Sequence, residues 1–152
     1  MESLRIEKKD TYIIEVNDAG ETIEFDLVDI SLPMRFNKAY LEVEKSLRWL
    51  EGQIALKDKD ASDSEKVGLL TKGEEKLLKA WDKSFKDMRK AMDNFLGEGG
   101  CQKVFGDRNY LEMWSDLFDA LEPHIEKMGI RNEDIKNRIK AKYSKKDEGV
   151  LK

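Results

Sequence analysis

The sequence predicts a mainly α (α+β) fold, a helical bundle of three to four helices with a small N-terminal β-hairpin. Three observations predict it. Two β-forming segments flank a turn near the start, and three longer stretches then repeat apolar residues at helical spacing. The last two of these stretches are separated by a short connection holding four of the ten glycines, Gly97, Gly99, Gly100 and Gly106. At 152 residues the chain reads as one domain over 1–130, followed by a basic segment over 131–152.

The hairpin is predicted over 11–27. Thr11 to Val16 and Thr22 to Leu27 are rich in β-formers, and the second alternates, with Ile23, Phe25 and Leu27 on one face. Asn17-Asp18-Ala19-Gly20 between them supplies turn chemistry. An isolated hairpin is marginal in water, so its apolar face must pack on the helices or on another subunit.

The first helix is predicted over about 32–55, with Ser31 as N-cap and Pro33 in the first turn. Phe36, Tyr40, Val43, Leu47, Leu50 and Ile54 form its seam. Fraying is expected from Gly52 to Lys57, then a mobile loop from Lys57 to Glu65, and a short turn around Val67, Leu69 and Leu70. The second helix, over 72–96, starts at the capping-box spacing Thr71-x-x-Glu74 and stops at Gly97. Its stripe holds Leu77, Leu78, Trp81, Phe85, Met88, Met92, Phe95 and Leu96. Asn109-x-x-Glu112 predicts the third helix over 110–128, bent or restarted at Pro123. Asn132 opens a last basic helix, with a frayed tail from Ser144.

Composition narrows the function. No apolar run approaches the ~18 residues of a membrane span, and one cysteine excludes an internal disulfide and suits a reducing cytoplasm. Net charge is −4, yet residues 1–30 carry three basic and nine acidic side chains, while 131–152 carry eight and four. Such polarity can orient a molecule in an assembly or simply mark a solvated tail.

Catalytic and ligand motifs fail on inspection. A phosphate-cradling loop needs a second glycine and a Lys-Ser/Thr pair where this chain has Gln102, Lys103 and Val104. Asp58-x-Asp60-x-Ser62 hints at a calcium loop, but Asp63 and Leu69 stand where glycine and glutamate are required. Cys101 and His124 are two ligands where a structural zinc site needs four. As a nucleophile–base pair they are outweighed by plainer roles, Cys101 as a small packing residue and His124 as a surface or capping group. No catalytic residue, cofactor or metal is expected.

Certain strings resemble a known family. Tyr12-Ile13-Ile14-Glu15-Val16, Thr22 to Leu27 and Pro33-Met34-Arg35-Phe36 resemble the start of small proteins from the tail-assembly regions of phages and prophages of Gram-positive bacteria. The block Gly97 to Asp107, then Leu111 and Leu117-Phe118-Asp119-Ala120-Leu121, is similar to the most recognisable segment of that group. The resemblance covers roughly 11–128 and is to the tail assembly chaperones of long-tailed phages. It implies a noncatalytic protein that binds the tape measure protein and helps recruit tail tube subunits during tail morphogenesis. It also implies residence in the host cytoplasm, absence from the mature virion and, in many phages, a longer frameshifted product.

A chaperone for a helical client must present apolar surface on a soluble body. The candidate contacts are Val104 and Phe105 with Tyr110, Trp114 and Phe118 on the following helix, and the hairpin is a possible subunit-pairing edge. A homo-oligomer is expected, and a Phe105→Asp variant is expected to fold but lose its client. The alternative reading is a nucleic-acid-associated accessory protein using Lys136, Arg138, Lys140, Lys142, Lys145 and Lys146, although overall acidity makes nucleic acid a poor partner.

Overall fold

The computed structural model describes residues 1–59 and 65–130. Its elements run β1 (Thr11–Glu15), β2 (Thr22–Asp26), α1 (Leu32–Lys59), β3 (Lys66–Val67), β4 (Leu70–Thr71), α2 (Lys72–Leu96), α3 (Gly100–Phe105) and α4 (Met113–Met128). Four helices and the N-terminal hairpin make it mainly helical, as the periodicity predicts. The predicted basic helix and tail over 131–152 lie outside the described residues, as do positions 60–64 of the predicted loop and of the calcium-loop hint.

Strands β1 and β2 pair antiparallel with Tyr12 opposite Phe25 and Ile14 opposite Ile23. This register puts all four on the inner face, while Ile13 points away and is exposed. At the turn, Asn17 Oδ1 accepts from the Glu21 amide at 3.1 Å. Asn17 Nδ2 also donates to the Lys103 carbonyl at 3.0 Å, and Lys103 Nζ donates to the Thr22 carbonyl at 3.1 Å. The hairpin is thus tied to α3 as well as to the core.

The core joins the inner hairpin face to one side of each long helix. Phe95 of α2 lies 5.0 Å from Phe25 and 4.9 Å from Phe36 between ring centroids, linking hairpin, α1 and α2. Phe36 and Tyr40 of α1 in turn meet Phe118 of α4. Met88, Met92, Met113 and Met128 are buried in the same core as Trp114, a use that suits their unbranched, adaptable side chains.

Several boundaries differ from expectation. Helix α1 continues through Gly52 to Lys59, because Leu50 and Ile54 still pack on the core beside it. Ser31 donates its hydroxyl to Asp29 Oδ1 at 2.7 Å instead of capping with it, and Arg35 pairs with Asp29 Oδ2 at 2.8 Å. These contacts, the Ser31 bonds foremost, hold the Asp29 carboxyl below its ordinary value. The expected turn around Val67 is a second small hairpin, β3–β4, with Leu69 exposed at its tip. Tyr40 and Leu78, both placed in apolar seams, are exposed at 41% and 49%.

The capping box of α2 is present in both directions, each bond 3.1 Å between Thr71 and Glu74. The same spacing misleads at Asn109. Its Oδ1 accepts from Arg89 Nε at 2.8 Å, so α4 starts three residues late, at Met113. It then runs through Pro123 as one helix.

The glycine-dense connection is not a simple bend, for it contains α3. Gly99 takes a left-handed φ of 74° before it, and Asp93 Oδ1 on α2 accepts from the Cys101 amide at 2.9 Å. One neighbouring helix therefore supplies the cap that the local sequence lacks. Gly100 serves close approach: a Cβ there would sit 2.5 Å from Leu96 Cβ. Gly100→Ala is expected to destabilise by about 1–3 kcal/mol through overpacking. Urea unfolding should show this as a lower midpoint at unchanged slope.

Candidate functional site

Leu117, Ala120, Leu121 and His124 stand at i, i+3, i+4 and i+7 on α4 and so share one face. That face forms one wall of a half-open cleft of about 200 Å³. Ile14, Val16, Ile23 and Phe25 form the opposite wall from the hairpin side, and Leu96 and Val104 close the end. The lining is apolar apart from Glu15 and His124. For scale, an apolar cavity of ~150 Å³ accepts a benzene molecule, so this cleft takes one large apolar side chain.

One polar contact joins the two walls. The Tyr12 hydroxyl and His124 Nδ1 are 2.8 Å apart, with the rings edge-to-face at 5.7 Å. His124 is thus neither a surface group nor a cap; it pins β1 to α4 beside the cleft. Cys101 is buried, and its Sγ donates to the Arg89 carbonyl at 3.5 Å. Burial first, then the neighbouring Asp93, pushes the thiol above its ordinary value and away from the nucleophilic thiolate. Among the described residues no group of three or more His, Cys, Asp or Glu side chains is placed to hold a metal ion.

The five predicted contact residues fall in different places. Val104 lines the cleft. Phe118 is half-buried between α4 and α1, under Phe36 and Tyr40. Trp114 is fully buried, at 0% exposure, and offers no surface to a partner in this fold. The periodic stripe on α4 has one side turned into the core, and Trp114 stands on that side. Phe105 and Tyr110 are half-buried, the Phe105 ring 5.6 Å from that of Trp114 and 6.4 Å from that of Tyr110. Arg89 lies over the Phe105 ring at 5.9 Å and donates to the Arg108 carbonyl at 2.6 Å, holding this loop onto α2. A Phe105→Asp change would therefore set a carboxylate against the Trp114 ring, so it tests folding before partner binding.

Sequence reasoning missed the hairpin wall, Ile14 and Val16, and the pairing of Ala120 with His124 across from it. The α4 spacing was visible, but the partner wall depends on how the hairpin docks. Comparison of the chain with protein-family models, with curated proteins and with solved structures found no match. No described helix is long and apolar enough to cross a membrane.

Proposed function

We propose that this protein is a noncatalytic tail assembly chaperone that binds the tape measure protein and helps bring tail tube subunits to it in the host cytoplasm. The observation that supports the reading is the half-open apolar cleft between the hairpin and α4. An amphipathic client helix presents large apolar side chains at i, i+3, i+4 and i+7 spacing, and such helices dock by setting one or two of them into a groove. The resemblance of the hairpin and of the 97–121 block supports the same reading, because those segments build the cleft's two walls and its end. The cleft supplies a hold on the client, and no bond-making group is assigned a role.

Ala120 gives a clean test, since it lies at the cleft but is exposed on α4. Ala120→Arg keeps a good helix former and fills the mouth with a long charged chain. Co-expressed with a tape measure protein, the parent chain should co-purify with that client. The variant should fold with unchanged circular dichroism and lose at least tenfold in recovered client. Equal recovery by the two chains would remove the cleft from the account.

A further inference from the structure

We propose that the outer face of α1 pairs with the same face of a second copy, antiparallel, about a two-fold axis at Lys45. Met34, Leu41, Trp49 and Leu56 are exposed at 74%, 53%, 48% and 63%. At 100° per residue they fall in one stripe, roughly 140° around α1 from the seam of Ala39, Val43 and Leu50 that packs in the core. The stripe spans about 33 Å at 1.5 Å per residue. Four large apolar side chains in a row on one helix are not the scattered exposure of an ordinary surface.

The spacing names the occupant. Reading from Lys45, apolar residues stand four and eleven positions away in both directions, Leu41 and Trp49, then Met34 and Leu56. A helix face with mirror-symmetric spacing is self-complementary when a second copy lies antiparallel to it, as an isologous two-fold interface requires. Met34 then faces Leu56 of the other copy, and Leu41 faces Trp49, twice over. A client helix would have no reason to match a centre at Lys45.

Charge follows the same symmetry. The two Lys45 side chains meet at the axis, where they would repel if left unpaired. Glu42 stands three residues away on the adjoining flank, beside Lys45 and Trp49 in the groove between α1 and α2. In the pair, each Lys45 reaches across to Glu42 of the other copy, so the axis carries two crossed opposite-charge contacts. Gly52 lies in the stripe opposite Lys38 and leaves room for that long side chain. The pairing uses a different face from the cleft and stands whether or not the client reading holds.

Light scattering of the full chain should give twice the 17.7 kDa chain mass at micromolar concentration. Trp49→Glu should weaken the pair at least tenfold with circular dichroism unchanged, because Trp49 is half exposed. Orientation is read with single cysteines. A mixture of Lys38→Cys and Gly52→Cys chains should form the mixed disulfide, and neither chain alone should cross-link. A strictly monomeric chain, a dimer indifferent to Trp49→Glu, or Lys38→Cys cross-linking to itself would each overturn the proposal.

Discussion

Trp114→Ala is expected to lower stability by about 3–5 kcal/mol, the range for removing a large aromatic side chain from a well-packed core. The side chain is fully buried and meets Phe105 edge-to-face, with Met113 buried beside it in the chain. Total stability for a domain is only ~5–15 kcal/mol, so the variant should be close to its unfolding threshold at 37 °C. Thermal unfolding should fall by roughly 10 °C or more. The Trp114 indole N–H is buried without a hydrogen-bond partner. Trp114→Phe removes that donor and keeps a large ring, so it should cost much less than the alanine change. If alanine and phenylalanine cost the same, ring burial would not be what Trp114 contributes.

Phe95→Ala is expected to cost a similar ~3–5 kcal/mol, but with a different distribution through the molecule. Phe95 is the ring that touches both the hairpin, at Phe25, and α1, at Phe36. Each such aromatic contact is worth ~0.5–1.5 kcal/mol beyond the area it buries. A two-stranded hairpin has little stability of its own, so β1–β2 depends on this anchor. Hydrogen exchange should therefore show the amides of 11–26 losing protection first, ahead of those in the middle of α2. Uniform loss across hairpin and helices would mean that the hairpin is held mainly by its polar ties to α3 and α4.

The elements most legible in the sequence were those whose signals are local. Alternation at Ile23 and Phe25 gives the hairpin face, and the Thr71–Glu74 box fixes the start of α2. Signals failed where a distant group supplies the partner. Asn109 has the spacing of a cap but is held by Arg89, twenty positions earlier. Helix α3 was hidden because its cap, Asp93, lies on α2. Gly52 looked like an end of α1, yet one glycine costs only ~1 kcal/mol in a helix, and burial of Leu50 and Ile54 outweighs that.

The site shows the same division. Helical period put Trp114 and Leu117 on one stripe of α4, but period alone does not say which side of a stripe another element covers. Trp114 proved to be fully enclosed core, and Leu117 and Leu121, also buried, border the cleft as well. The second wall was out of reach, since Tyr12 and His124 are 112 positions apart and nothing local links them. The exposed row on α1 was present in the sequence too, overshadowed by the seam on the helix's other side.

On the proposed function, this chain grips an amphipathic helical polypeptide through apolar contact. The decisive experiment is calorimetric titration of the purified protein with a helical fragment of a tape measure protein, repeated at several temperatures. Binding should saturate with a negative heat-capacity change, the mark of apolar surface leaving water, and should be lost in Ala120→Arg. Absence of binding at every temperature, or binding that Ala120→Arg leaves intact, would rule out the cleft as the client's seat.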